Sequence, residues 1–314
     1  MQEPVLVEVV RSGMVESRHR GSVVGLDASG AVALQVGDID APVYGRSANK
    51  PLQAAAMVEL GLSLPPPQLA LVCASHNGEP AHLAGVRSIL ASAGVDEGLL
   101  RNTPAYPLHE PSAADVIRSG GRRSPILQNC SGKHAGMLVT CAINGWPLDS
   151  YLDQDHPLQR HITTVVERLS SETVGQVGID GCGAPAHTLT LTGLARAFAA
   201  VARAPSGSAM ASVRVAMTTH PDMVGGTGRD VTALMEGVPG LVAKDGAEGV
   251  LAAALPDGRA VALKLADGSW RAFAAVALEA LDRLGVNTSG AVGLRRTPVL
   301  GGGRPVGEAH AVPF

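Results

Sequence analysis

In the segment Arg46-Ser47-Ala48-Asn49-Lys50 a serine precedes a lysine by three residues at the mouth of an apolar helical stretch. One helical turn puts positions i and i+3 on the same face, so the Ser47 hydroxyl and the Lys50 amine can meet there. A lysine activates a serine only when its amine is neutral, and burial or a second cation nearby favours that state. The plain alternative makes Ser47 a helix cap and Lys50 a solvated first-turn residue. Lysine usage argues for chemistry: the chain has four lysines, Lys50, Lys133, Lys244 and Lys264, against twenty-one arginines. Arginine cannot act as a base or lend a lone pair to a metal near neutral pH, so the few lysines are enriched for tasks that need a free amine.

Three further clusters could carry chemistry. Ser75-His76-Asn77-Gly78-Glu79 sets a hydroxyl, an imidazole and an amide beside a glycine turn, with a loop and helix cap as the equally simple reading. Cys130 and Lys133 share the i, i+3 relation, and Cys182 sits in a glycine-rich turn, Gly181-Cys182-Gly183. Two thiolates and a third donor could hold Zn²⁺ with one position open, although there is no C-x-x-C pair and buried free thiols are the commoner fate of cysteine. Lys244-Asp245-Gly246 closes a short β-like run. Gly225-Gly226-Thr227-Gly228 looks like a phosphate loop but lacks the Gly-Lys-Ser/Thr ending and a preceding apolar strand, so nucleotide binding is rejected there.

The elements that must position these groups follow from patterning. Residues 5–10 read as a strand, and residues 22–26 and 31–36 as a hairpin about Asp27-Ala28-Ser29-Gly30. Helices are expected at 52–60, closed by Gly61, at about 67–74, from the Glu79 region to Leu90, and from the Cys130 region to Ile143. More follow at 156–170, 192–203, 206–219, 228–236 and 270–284. Residues 98–125, with prolines at 104, 107, 111 and 125, read as irregular. Strands are expected at 173–179, 241–244, 249–255, 259–265 and 306–312. Strands at both ends with helices between them imply an α+β fold, one sheet built from both termini. A single domain over 1–314 follows, with sheet-forming parts at about 1–45 and 238–314 and a helical part at about 46–237.

Composition narrows the function classes. A hydrophobic share of 46% with 3% aromatic residues calls for a core of small aliphatic side chains. The net charge of −3 supplies no basic face, so no nucleic-acid partner is expected. Met1-Gln2-Glu3-Pro4 has no basic and apolar leader pattern, and no run approaches the ~20 apolar residues of a membrane span. The expectation is a soluble cytoplasmic protein without a membrane partner. Four scattered cysteines argue for reduced thiols rather than a disulfide framework.

Taken in order, Ser47-x-x-Lys50, Ser75-x-Asn77 and Lys244-x-Gly246 echo the motifs of penicillin-binding proteins and serine β-lactamases. A closer likeness lies in Gly45-Arg46-Ser47-Ala48-Asn49-Lys50-Pro51, Ser75-His76-Asn77-Gly78-Glu79, Asn129-Cys130-Ser131-Gly132-Lys133-His134-Ala135-Gly136-Met137, Asp180-Gly181-Cys182 and Lys244-Asp245-Gly246-Ala247-Glu248-Gly249. Together these resemble the thermolabile type II L-asparaginases of the rhizobial kind, over nearly the whole chain. The resemblance implies hydrolysis of L-asparagine to L-aspartate and ammonia, on a fold similar to serine β-lactamases and glutaminases, by a homodimer. It implies Ser47 as nucleophile with Lys50 as its base, and Ser75 with Lys244 as a second pair. It also implies Cys130, Lys133 and Cys182 as ligands of one Zn²⁺ ion, with His134 and Asp180 around it, and Arg46 and Asn77 beside the substrate. Asp245 next to Lys244 is an acid that could hold that amine protonated. Two other readings share parts of this apparatus: a serine hydrolase of another amide, such as L-glutamine or a β-lactam, and a non-catalytic zinc or amino-acid binding protein.

Overall fold

The computed structural model describes residues 3–314, so Met1 and Gln2 of the amino-terminal stretch lie outside the described residues. Its strands are β1 (Val5–Arg11), β2 (Met14–Leu26), β3 (Val32–Val36), β4 (Val43–Tyr44), β5 (Val177–Ile179), β6 (Pro185–Leu189), β7 (Val242–Gly246), β8 (Val250–Ala254), β9 (Ala260–Leu265), β10 (Arg296–Gly301) and β11 (Arg304–Ala311). Its α-helices are α1 (Lys50–Glu59), α2 (Pro66–Val72), α3 (Pro80–Ala91), α4 (Glu110–Arg118), α5 (Ser131–Ile143), α6 (Pro157–Ser170), α7 (Leu191–Arg203), α8 (Ala209–Thr219), α9 (Pro221–Val224), α10 (Asp230–Gly237) and α11 (Phe273–Arg283).

The fold is α+β. The main sheet is antiparallel and runs β10-β11-β1-β2-β9-β8-β7, so the amino-terminal strands β1 and β2 lie between two groups of strands from the other end, and one sheet is built from both ends of the chain as expected. Strand β2 makes the junction. Its first half pairs with β1, while Gly21–Leu26 lies against β9 with β3 on its other edge. Every residue of β8 is buried. Successive strand side chains point to opposite faces, so both faces of the sheet are covered there, and α7 and α11 both pack against β8 and β9. Alanine-rich strands such as Val250-Leu251-Ala252-Ala253-Ala254 suit a layer approached closely from both sides. No helix among the described residues is long and apolar enough to cross a membrane.

The middle of the chain departs from the helical expectation. Strands β4 and β5 both pair with the central β6 in a second, three-stranded sheet that carries the approach to Ser47 on one side and to Cys182 on the other. The strand expected at 173–179 covers only its last three residues. Helix α4 lies in the stretch read as irregular, because Pro111 falls in its first turn, where a missing N–H costs nothing. Strand β10 was not expected. It forms a hairpin with β11 across Gly302 and Gly303, at φ +56° and +76°, a left-handed pair that glycine adopts without strain.

Candidate active site

Ser47 sits where β4 gives way to a 3₁₀ turn, Arg46–Asn49, that runs directly into α1. The chain makes that corner by placing Arg46 at φ +48°, a left-handed conformation that costs a non-glycine residue about 1–2 kcal/mol. The turn is anchored to β6: the carbonyl of His187 accepts from Gly45 N at 3.3 Å and from Asn49 Nδ2 at 3.2 Å. The Arg46 guanidinium donates from Nε to Asp180 Oδ1 at 2.8 Å, tying the Ser47 turn to the Cys182 loop. Burial works against the Asp180 carboxylate, but the Lys133 and Arg46 cations hold it below the ordinary aspartate range.

Three of the four lysines are fully buried: Lys50 and Lys133 are each 1% exposed and Lys244 is 0% exposed. Burying an ammonium is costly unless it is paired or neutral, so each must meet partners. Lys50 Nζ lies 2.5 Å from the Ala74 carbonyl, 3.1 Å from Ser75 Oγ and 3.1 Å from Cys130 Sγ. The hydrogen bond expected between Ser47 and Lys50 is not formed. The amine instead joins the Ser75 hydroxyl to the Cys130 thiol, and Ser47 Oγ makes no hydrogen bond among the described residues. Lys244 and Ser75 are not hydrogen-bonded either. The Lys244 amine donates to the Asp245 carboxylate and, at 2.7 Å, to the Asp245 carbonyl. Burial above all, with the Lys50 and Arg229 cations adding, brings Lys244 down to about 8 against the opposing pull of Asp245. Asp245, caught between Lys244 and Arg229, is held well below the usual carboxylate range despite its burial.

Ser47 and Ser75 share the wall of a cavity of about 80 Å³ with Leu108, Asn129, Arg229, Asp245 and Trp270. Asn77 is not on that wall. Its amide donates to Glu79 Oε1 and to the Thr227 carbonyl, each at 2.9 Å, which pins the Ser75 turn to the segment before α10. His76 fixes the same turn from inside, with Nδ1 accepting from Gly78 N at 3.0 Å and Nε2 set 2.9 Å from Ser131 Oγ. Its burial holds its pKa well below the ordinary histidine value.

Behind Lys50 lies the second cluster. Cys130 ends the approach to α5, Lys133 is one turn into that helix, and Cys182 comes from the β5–β6 connection. Lys133 Nζ is 3.3 Å from Cys182 Sγ. The Cys182 thiol is drawn down to about 5, first by its pairing with the Cys130 thiol and then by the Lys133 ammonium, against burial. The same pairing, with burial, pushes Cys130 up to about 12. Burial opposes the Lys133 ammonium, yet facing these sulfurs it is held above its usual value. His134 is 0% exposed, with Nδ1 2.8 Å from the Tyr151 hydroxyl and Nε2 without a protein partner. Among the described residues no three His, Cys, Asp or Glu side chains converge as a metal site, so any metal here would need the Lys133 amine as a third donor.

Residues 7–311 match the family L-asparaginase II. This chain belongs to that family. Nothing among curated proteins matches the sequence. Solved structures similar to this L-asparaginase II family member include a β-lactamase from Mycobacterium bovis, with TM-score 0.49 and 16% identity over 84% of this chain and 94% of the other. Another is Mglu in its native form, at 0.44 and 14% over 88% of this chain and 63% of the other. A third is EstCE1, a hydrolase with promiscuous acyltransferase activity, at 0.40 and 11% over 89% and 92%.

Sequence reasoning located both lysine clusters but missed Arg229, Trp270 and Asn129 on the cavity wall. The glycine run preceding Arg229 was the available signal, since a Gly-Gly-x-Gly segment allows close backbone approach, as at Gly226 beside Asn77.

Proposed function

We propose that this L-asparaginase II family member hydrolyses L-asparagine to L-aspartate and ammonia through an acyl-enzyme on Ser47. The observation that carries the reading is a hydroxyl free of hydrogen bonds, on a small cavity, backed by the buried Lys50 amine that reaches Ser75. An amide is a poor electrophile, and a covalent ester divides its hydrolysis into two easier steps. Ser47 Oγ attacks the side-chain amide carbon, and its proton passes by way of the Ser75 hydroxyl to Lys50. The tetrahedral species collapses with cleavage of the C–N bond, and the proton reaches the departing nitrogen through the Ser75 hydroxyl, which shares the cavity wall with Ser47. Water then attacks the ester, returns a proton to Ser47 and releases aspartate. Lys244, paired with Asp245, contributes a cation behind this relay.

A cavity of about 80 Å³ is far below the ~300–1,000 Å³ of pockets for drug-sized ligands. That size favours a small amino-acid amide over a β-lactam, and L-glutamine is the nearest competing substrate. Ammonia release from L-asparagine, L-glutamine and a β-lactam panel by wild type and Ser47→Ala tests the reading. Equal rates in the two proteins would remove Ser47 from the chemistry, and preference for glutamine would replace the substrate.

Cys130, Lys133 and Cys182 fit a zinc ion in donor chemistry. Lys133 Nζ stands 3.3 Å from Cys182 Sγ, so an amine and a thiol of the donor types zinc accepts already face each other. The ion would supply a Lewis acid that anchors polar groups of the substrate. Arg46 and Asp180 would orient the loop that carries Cys182, and His134 offers its free Nε2 from α5. Lys133 must lose its proton to ligate, so occupancy is expected to fall as pH drops. Elemental analysis of protein purified without chelator checks this, and a metal-free preparation indifferent to added zinc would overturn it. The reading includes a cytoplasmic homodimer, which sedimentation velocity and cell fractionation test.

A further inference from the structure

The glycine run Gly225–Gly228 packs against the Ser75 turn. Ser75 N donates to the Val224 carbonyl at 3.1 Å and Asn77 N to the Gly225 carbonyl at 2.9 Å, so this segment lies alongside the Ser75 turn like an added strand. At Gly226 a Cβ would come within 2.6 Å of the Asn77 amide, so only glycine admits that approach. The run ends at Arg229, whose guanidinium spans two other parts of the site. Nη1 donates to the Ser75 carbonyl at 3.0 Å and Nη2 to Asp245 Oδ2 at 2.6 Å, with the Trp270 ring 5.9 Å away on the solvent side. The far oxygen of Asp245 takes the Lys244 amine. A planar fork with two directed donors is the group that can hold a carbonyl and a carboxylate at a fixed separation; a lysine in its place would offer one point of charge.

We propose that Arg229 is a positioning residue, a clamp that fixes the Ser75 turn against β7 and holds the Asp245 carboxylate on the Lys244 amine. The inference rests on the reading of Ser75 and Lys244 as parts of one hydrolytic site. The charged and titratable groups facing Lys244 are Lys50 from α1, Cys73 after α2, Arg229 ahead of α10, and Asp245 on its own strand. Removing the guanidinium takes away a repelling cation and leaves Asp245 to Lys244 alone. Both changes make Lys244 hold its proton more tightly.

The chain's four lysines make that directly measurable. ¹³C-lysine-labelled protein gives four side-chain signals, assigned by single Lys→Arg replacements, and each can be titrated by NMR. In Arg229→Gln the Lys244 midpoint, near 8 in the wild type, is expected to rise by about one unit, tenfold in proton affinity. With L-asparagine, kcat is expected to fall about tenfold or more with KM little changed, the pattern of a lost transition-state arrangement. Arg229→Lys keeps the charge and loses the fork, so it should leave the Lys244 midpoint in place while kcat still falls. It also carries the test if Arg229→Gln does not fold. An unmoved Lys244 midpoint in Arg229→Gln, or wild-type kcat in Arg229→Lys, would overturn the clamp. If the wild type releases no ammonia from asparagine, the substrate reading fails, and the lysine titration still decides the role of Arg229.

Discussion

Acid should loosen this protein at His187, and the size of the effect can be worked out. The imidazole is 0% exposed, and its pKa is lowered from 6.5 to about 4 by burial first and by the Lys133 ammonium second, against a smaller opposing pull from Glu167. Thr163 Oγ1 donates to the Gln159 carbonyl at 3.0 Å, so its oxygen accepts from His187 Nε2–H at 2.8 Å. The second proton must therefore go on Nδ1, which is buried with no protein acceptor. Because the folded pKa lies below the unfolded one, the unfolded chain binds more protons between the two values. The stability tied to neutral His187 is full above about pH 6.5 and is lost as pH falls toward 4. A gap of about two and a half pH units, at about 1.4 kcal/mol each, sets a ceiling of about 3.4 kcal/mol; between pH 7.5 and pH 5 the loss is about 2 kcal/mol. Urea unfolding followed by tryptophan fluorescence at pH 7.5, 6 and 5 measures it. In His187→Gln, where the amide can still reach Thr163, the fall in stability over that range should be shallower than in the wild type by about 2 kcal/mol. Buried His76 and His134 are present in both proteins and cancel in the comparison. Parallel curves of stability against pH would refute the argument. The consequence reaches the site, because the His187 carbonyl anchors the turn that carries Ser47.

Three further predictions follow from single contacts. At Gly132 a Cβ would lie 2.2 Å from the Leu71 carbonyl, so Gly132→Ala should push α5 away from α2, cost about 1–3 kcal/mol in thermal unfolding and weaken zinc uptake by displacing Lys133; an unchanged Tm would contradict it. Asp245→Asn leaves Lys244 and Arg229 facing each other in a buried setting and should cost about 3–5 kcal/mol, with Lys244→Met on top recovering part of the loss in urea unfolding. Arg46→Gln strips the largely buried Asp180 of its partner and should cost about 1–3 kcal/mol. Arg46→Gly, which relieves the left-handed backbone, should be measurably more stable than the Gln variant.

Much of the fold was legible because its signals are local. The helix expected at 52–60 and found at 50–59, the helix ending at Ile143 and the strands expected at 249–255 and 259–265 carry their signals within themselves. Strand β10 did not, because its side chains are mostly exposed and show no alternation. Strand β2 was seen only in its buried half, since residues 14–20 are largely exposed and polar and owe their strand to β1. The three prolines before and in α4 read as breakers, although one of them starts the helix.

The site divides along a similar line, between what spacing reports and what tertiary partners decide. The i, i+3 relation says which Cβ atoms are near each other. It does not say where a four-carbon stem will place its amine, and Lys50 reaches past Ser47 to the Ala74 carbonyl, Ser75 and Cys130 because those acceptors are buried with it. Arg229 could not be seen at all from spacing, since Asp245 is sixteen residues away and the Ser75 carbonyl one hundred and fifty-four. What did survive the step from sequence to structure is the scarcity of lysine. A chain that uses arginine for nearly every exposed cation keeps lysine where a compact, desolvatable amine is needed, and Lys50, Lys133 and Lys244 are accordingly among its largest fully buried side chains. The fourth, Lys264, marks the boundary of the rule: its amine caps the carbonyls of Glu248 and Leu265 near the surface, a task in which an arginine would serve as well.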